Sequence, residues 1–333
     1  MSILILGGAG YIGSHTAHEL SKTNTDIIIA DNLQTGHLDA IPAKAKFYMG
    51  DIRDKSFLDK IFETEKIDAI IHFAASSLVR ESIQNPLKYY ENNLIGTFVL
   101  LKSMIEHNIN NIVFSSTAAV YGEPQNIPIK ETDRTEPANT YGETKFAMEK
   151  MFKWVSNAHN ISYVSLRYFN ACGANLDGNI GEDHNPETHL IPIILQTANG
   201  QREKIQIFGD DYDTKDGTCI RDYIHVCDLA QAHILAVDYL LSGGKSDIFN
   251  LGNGEGFSVK EIINTARKVT SHPIEAIITK RRAGDPSILI ADSSKARSVL
   301  NWKPKYTKPD EIISTAWKWH KSHPYGYIKV ANR

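Results

Sequence analysis

"LILGGAGYIGSHTAHEL", residues 4 to 20, decides how the rest of the chain is read. A short apolar run stops at glycines and a helical pattern begins at once. Gly8, Gly10 and Gly13 stand in a G-x-G-x-x-G frame, with Gly7 just ahead of it. Glycines permit a tight turn and let the backbone approach a pyrophosphate, whose charge meets the amides at a helix N-terminus. The next apolar run, "DIIIAD", ends in Asp31, eighteen residues beyond Gly13. A carboxylate there accepts hydrogen bonds from both ribose hydroxyls and repels a 2′-phosphate. Strand, glycine turn, helix, strand and Asp, in that order, predict a site for NAD rather than NADP.

Outward from this unit, β-branched runs alternate with helical patterns: "SFLDKIFETEK" (56–66), "DAIIHFAA" (68–75), "NNLIGTFVLLKSMIEH" (92–107) and "NIVFSST" (111–117). This rhythm predicts an α/β fold, a Rossmann-type doubly wound parallel sheet over residues 1–170. Beyond Asn170 a Gly-, Asn- and Asp-rich stretch breaks the alternation, so residues 171–333 are expected to form a smaller C-terminal α/β substrate domain. Within it, "RDYIHVCDLAQAHILAVDYLL" reads as a strand end and a helix with apolar Leu229, Ala232 and Ala236. The segment from about 219 to 245 is expected to fold back onto the first domain.

The 333 residues are 42% apolar, enough for a sizeable core, and the formal net charge of −3 offers no global field to draw nucleic acid or an anionic membrane. Three cysteines, Cys172, Cys219 and Cys227, lack metal-type spacing and read as free thiols in a reducing compartment. No apolar run approaches the roughly 20 residues of a membrane span, and "MSILILGGAGYIG" has neither a basic lead-in nor a cleavage site. A cytoplasmic, soluble protein without nucleic-acid or membrane partners is expected.

Three stretches follow later strands: "FSSTAAVYG" (114–122), "NTYGETK" (139–145) and "LRYFNACG" (166–173). Loops after strand carboxyl ends line the crevice of a doubly wound sheet, so all three are expected at one cofactor. Tyr141 and Lys145 are four apart and share a helix face. A lysine ammonium and a positive nicotinamide ring near Tyr141 would favour phenolate; lowering a phenol from about 10 to about 7 takes roughly 4 kcal/mol. Thr117 adds a hydroxyl that shares or relays a proton.

With these motifs, "RDYIHV" (221–226) and "RRAGD" (281–285), the chain resembles the extended short-chain dehydrogenase/reductase family, from Ile3 to about residue 325. Within it, the resemblance is to enzymes that interconvert UDP-glucose and UDP-galactose in galactose metabolism. It implies that Tyr141 removes the proton of the sugar C4 hydroxyl while the C4 hydride passes to tightly held NAD. The resulting 4-ketopyranose turns its other face to the reduced cofactor, the hydride returns, and NAD is regenerated at each turnover. Lys145 would bind the nicotinamide ribose and tune Tyr141, and Thr117 would contact the C4 oxygen.

The resemblance assigns cofactor contacts to Gly7, Gly10, Tyr11, Ile12 and Gly13, to Asp31, Asn32, Leu33, Gln34, Thr35 and Gly36, and to Asp51 and Ile52 at the adenine. Phe73, Ala74, Ala75, Ser77, Asn92 and Phe169 would complete the cofactor groove together with Thr117, Tyr141 and Lys145. The UDP-hexose would meet Asn170, His189, Leu190, Gln206, Ile207, Phe208, Arg221, Arg282, Asp285 and Leu289, besides Thr117 and Tyr141. A guanidinium fork at Arg221 or Arg282 suits a pyrophosphate. A homodimer is implied as well.

This chain departs from the family's best-known pattern at four positions. Thr117 replaces a serine, keeping the hydroxyl on a stiffer side chain; Ser77 replaces a lysine, and His189 an asparagine. Leu289 replaces a bulky tyrosine near the sugar C2 substituent, which leaves room for N-acetylated UDP-hexoses. "GEDHNPETH" (181–189) matches no recognised metal-ligand spacing and reads as a polar loop near the nucleotide, so no metal is expected. Ala118 and Ala119 follow Thr117 where a dehydratase would carry an Asp-Glu pair. Another nucleotide-sugar 4-epimerase, or an NAD-binding sensor without chemistry, are the alternatives.

Overall fold

The computed structural model describes residues 1–282 and 285–327. Its strands in chain order begin with β1 (Ser2–Leu6), β2 (Asp26–Asp31), β3 (Lys46–Met49), β4 (Ala69–His72), β5 (Asn111–Ser115), β6 (Ser162–Tyr168) and β7 (Asn170–Cys172). There follow β8 (Ile205–Phe208), β9 (Ile220–His225), β10 (Asp247–Leu251), β11 (Gly256–Ser258), β12 (Ala276–Thr279) and β13 (Ile288–Leu289). The earlier helices are α1 (Tyr11–Ser21), α2 (Lys55–Thr64), α3 (Val79–Gln84), α4 (Pro86–Tyr89), α5 (Gly96–Glu106) and α6 (Thr140–Ala158). The later ones are α7 (Leu190–Ala198), α8 (Val226–Leu241), α9 (Val259–Thr270), α10 (Ser294–Val299) and α11 (Pro309–Ser322).

Seven strands form one sheet in the order β10-β6-β5-β4-β1-β2-β3, every neighbouring pair parallel. Alternation along β1 explains why both faces carry helices. Ile3 and Ile5 join one buried cluster with Val113, Leu229, Ala236 and Val237, whereas Leu4 and Leu6 join another with Leu58, Leu100, Phe114 and Phe152. A strand whose successive side chains are all apolar is stable only between two covering layers. This is the doubly wound sheet that the apolar rhythm predicted. Its strand order reverses between β1 and β4, which opens the ligand crevice at their carboxyl ends.

Beyond residue 170 the chain builds smaller sheets. β9 is flanked by β11 and β13 and also pairs with β7, and β8 pairs with β12. Ile194, Leu195, Ile207, Ile262, Ile263 and Ile313 close a separate core beneath them. α9 starts at a capping box, with Ser258 and Glu261 each satisfying the other's backbone N–H. The chain crosses the 170/171 division on its way: Leu229, Ala232 and Ala236 of α8 pack on the large sheet, and β10 pairs with β6 at its edge. Phe249 and Leu251 of β10 are fully buried, and the open edge of β6 supplies the hydrogen bonds that such a strand needs. Among the described residues no helix is long and apolar enough to cross a membrane.

Candidate active site

The glycine turn is built by exclusion of side chains. Gly7 has φ +79°, and a Cβ there would lie 2.6 Å from Ala74 N. A Cβ on Gly13 would lie 2.2 Å from Gly7 O. The β1–α1 turn is therefore pressed against the Phe73–Ala75 loop in a way no other residue type allows. Gly10 precedes α1 with no side chain capping the helix. The first amides of Tyr11, Ile12 and Gly13 are thus left for an anion.

Asp31 ends β2 beside this turn. Its Oδ2 accepts from Ala9 N at 3.0 Å and its Oδ1 from Leu33 N at 2.8 Å, with Leu33 at φ +57°. Burial raises this carboxyl, while the two backbone donors work in the opposite direction. A carboxylate has roughly four lone-pair positions, so acceptors remain for ribose hydroxyls. Gly36 lies under Ala9, where a Cβ would come within 2.8 Å of Ala9 Cβ, closing the Asn32–Gly36 loop onto the turn. Asn32 donates to Asp51 Oδ2 at 3.1 Å, and Arg53 binds both Asp51 oxygens at 2.9 and 2.8 Å, holding that carboxyl down at about 2. Ile52 is buried next to it. Turn, Asp31 and the Asp51 pair line one groove, and they fit a dinucleotide.

Across the crevice, Tyr141 and Lys145 lie on the first two turns of α6, which Asn139 starts by accepting from Gly142 N at 2.9 Å. Thr117 follows β5; its hydroxyl accepts from Ala119 N at 3.1 Å and lies near enough to Tyr141 to favour the phenolate. Lys145 is 3% exposed, and its Nζ donates to Ser115 O at 2.8 Å, 6.0 Å from the centre of the Tyr141 ring. The expected lowering of Tyr141 by Lys145 is absent from the chain itself. Burial raises the phenol and only the nearby Thr117 hydroxyl opposes it, while Lys145 Nζ is engaged by Ser115 O.

Beneath these side chains runs a buried network that the motifs did not announce. Glu149 Oε1 accepts from Ser116 Oγ at 2.5 Å and from Arg167 Nε at 2.9 Å, and Glu149 Oε2 accepts from Arg167 at 2.6 Å. Arg167 also donates to Tyr121 OH at 2.9 Å, and that hydroxyl donates to Asn250 Oδ1 at 2.6 Å. The signals for it were a Glu four residues after Lys145 and an Arg inside the apolar run of β6. Asn93 was missed too: it accepts from Ser76 N at 2.8 Å and donates to Thr144 Oγ1 at 3.1 Å, while its neighbour Asn92 donates to Asn93 Oδ1 at 3.1 Å. Ser77 is exposed in the loop after β4.

The expected sugar-nucleotide positions fall into groups. Phe169 and Leu289 pack together on Val120, Tyr121 and Ile129, so Leu289 stands next to the segment that begins at Thr117. Leu289 is also in register with Arg221 across β13 and β9. Arg221 is ion-paired with Asp285 and donates to Ile220 O at 2.8 Å, which leaves less of its fork free for phosphate than the motif suggested. Arg282 is exposed and stacks 3.9 Å above the centre of the Phe208 ring, beside Gln206 and Ile207 on β8. Residues 283 and 284 of "RRAGD" lie outside the described residues. Asn170 opens β7, and His189 and Leu190 start α7. Glu182 and Glu187 outweigh the effect of burial on two nearby imidazoles, raising His184 to about 9 and His189 to about 10.

A family model described as the NAD dependent epimerase/dehydratase family matches residues 3–252, and the chain belongs to that family. It is 60% identical to a UDP-glucose 4-epimerase of Halalkalibacterium halodurans over 98% of each chain. A solved structure of a UDP-glucose 4-epimerase superposes with a TM-score of 0.97 at 56% identity, covering 99% of this chain and 100% of the other. The Bifidobacterium longum UDP-glucose 4-epimerase, solved with NAD+ and UDP, superposes with a TM-score of 0.92 at 39% identity, covering 98% and 100%.

Lys145 makes the site's burial measurable. Burial lowers its amine to about 7, against about 10.4 in an unfolded chain. Between those values the unfolded chain binds more protons than the folded one, so this group's contribution to stability rises with pH. In the nucleotide-free protein, the thermal midpoint of the wild type relative to Lys145→Met is expected to increase from pH 7 to pH 9. Parallel curves would mean that the amine is not desolvated.

Proposed function

We propose that this enzyme interconverts UDP-glucose and UDP-galactose through NAD-dependent chemistry at C4, with Tyr141 as the base. The observation that carries this reading is a glycine turn with no room for a Cβ at Gly7 or Gly13, with a buried Asp31 beside it and the Thr117–Tyr141–Lys145 group at the carboxyl ends of the same sheet. NAD, when bound, supplies a reversible hydride acceptor, so C4 is inverted without net oxidation. Tyr141 takes the C4 hydroxyl proton and returns it. Thr117, whose hydroxyl lies beside the phenol and favours its ionised form, offers a second contact to the sugar oxygen. Lys145 binds the nicotinamide ribose from a position set by Ser115 O. The uridine diphosphate is held by the α7 start, by β8 and by Arg282, whose guanidinium is exposed above Phe208.

Purified protein is expected to carry NAD and to epimerise UDP-galactose. Proton transfer by a positioned group contributes about 10²–10⁴-fold, so Tyr141→Phe should lose at least about 100-fold in turnover while retaining NAD. Full activity in that variant would remove Tyr141 from the mechanism.

Leu289 sets the room around the sugar C2 substituent. It is half-buried between Phe169 and the Val120–Tyr121 segment and in register with Arg221. N-acetylated UDP-hexoses are therefore accepted beside the plain ones. Leu289→Tyr should lower the rate with UDP-N-acetylgalactosamine relative to UDP-galactose, and an unchanged ratio in paired assays would refute the assignment.

The enzyme acts in the cytoplasm as a homodimer. Three unpaired cysteines fit a reducing compartment. Exposed apolar side chains concentrate on α3 to α6 and on the π-helical stretch Tyr90–Ile95 that joins α4 to α5: Ile83, Leu87, Tyr90, Ile95, Phe98 and Trp154. Such a concentration is characteristic of an association surface. Phe98→Asp should shift the sedimentation coefficient from dimer to monomer; wild-type protein that sediments as a monomer would overturn the dimer.

A further inference from the structure

The loop ahead of α7 folds its acidic and imidazole side chains together. Glu182, His184, Glu187 and His189 each present one donor atom, and these atoms all lie within 4.8 Å of one another. His184 Nδ1 is 3.3 Å from Glu182 Oε1 and 3.6 Å from Glu187 Oε2. His189 Nδ1 is 2.9 Å from Glu182 Oε1 and 2.9 Å from Glu187 Oε1. The carboxylate side chains are only 5% and 4% exposed. Spacing along the chain did not reveal this group, because the turn at Asn185 and Pro186 brings the two Glu/His pairs face to face.

A tetrahedral ion with bonds of about 2.0 to 2.2 Å sets its ligand atoms roughly 3.3 to 3.6 Å apart. Both His184 separations already have those values, and the His189 pair needs to open by a few tenths of an ångström. Direct hydrogen bonding accounts for His189 but not for His184, whose Nδ1 is shut off from solvent and has no hydrogen-bond partner. The loop is also fixed from outside. Trp319 Nε1 of α11 donates to Glu182 O at 3.3 Å, and the Tyr11 ring at the start of α1 meets His184 edge-on with ring centres 6.2 Å apart. Tyr327 N donates to Asp183 Oδ2 at 2.9 Å.

We propose that Glu182, His184, Glu187 and His189 bind one divalent first-row transition metal ion, Zn²⁺ by preference, which pins the loop ahead of α7 between α1 and α11. Metal binding displaces the protons that the two carboxylates favour on the imidazoles, and two neutral imidazoles with two carboxylates then make a neutral site with a dication. Their nitrogen and oxygen donors suit Zn²⁺, whereas Mg²⁺ favours an all-oxygen shell. Four protein ligands fill a tetrahedron and leave no open position, as in a structural site.

The test is calorimetric titration of the full-length, NAD-loaded protein with ZnCl₂ after chelator treatment and desalting. One Zn²⁺ per chain is expected, together with a raised thermal midpoint and no saturable heat from MgCl₂. Loss of an outer partner of a metal site costs about 10–100-fold in affinity, so loss of a ligand in His184→Ala or Glu187→Gln should cost at least about 100-fold. X-ray absorption of the Zn²⁺-loaded wild type should show nitrogen and oxygen neighbours with imidazole scattering, and it decides the matter if the variants do not fold. No stoichiometric binding, unchanged affinity in folded His184→Ala, or sulfur neighbours would overturn the proposal; the first outcome means that the four side chains serve only as ion pairs.

Discussion

The buried pair of Glu149 and Arg167 is the interaction on which the candidate active site depends. It ties α6, which carries Tyr141 and Lys145, to β6, and through Ser116 to the residue next to Thr117. Tyr121 and Asn250 extend it to β10, the strand that returns from the later part of the chain. A buried charge pair gives little net stability, since desolvation offsets attraction, but removing one partner typically costs about 3–5 kcal/mol. Both carboxylate oxygens are occupied, and three of the elements around the crevice are thereby held in one register. The helix that carries the phenol is thereby tied to the segment that leads into Thr117.

The glycine turn imposes the second constraint, a steric one. Gly7, Gly13 and Gly36 each sit where a Cβ would strike backbone or Ala9, so β1, the start of α1, and the loops after β2 and β4 come together at close range. Close backbone approach leaves helix amides and a buried carboxylate facing the same groove. A dinucleotide needs both, one for its pyrophosphate and one for its ribose. The candidate cofactor groove and the Thr117–Tyr141–Lys145 group thus share the carboxyl ends of one sheet.

Much of this was legible along the chain because the information is local. The alternation of apolar runs encodes the parallel sheet, the glycine frame and Asp31 encode the dinucleotide groove, and the four-residue step from Tyr141 to Lys145 encodes a shared helix face. Less legible were interactions between residues far apart. Asn93 beneath Asn92, Arg167 opposite Glu149 and the engagement of Arg221 by Asp285 join positions whose nearness depends on how separate elements pack. The strand at 247–251 was not foreseen as part of the large sheet for the same reason: its apolar residues suit any buried edge, and only packing selects the edge of β6.

By itself, then, the sequence determined the α/β class and pointed to NAD and to Tyr141, Lys145 and Thr117 as the candidate proton-transfer group, since each rests on short-range periodicity or on a motif with a fixed spacing. The tertiary structure alone decided the electrostatics. It buried Lys145 and turned its ammonium to Ser115, so that the chain does not lower Tyr141 unaided, and it brought two glutamates and two histidines within 4.8 Å across a turn. Charge interactions depend on distance and burial, and neither is a property of position along a chain.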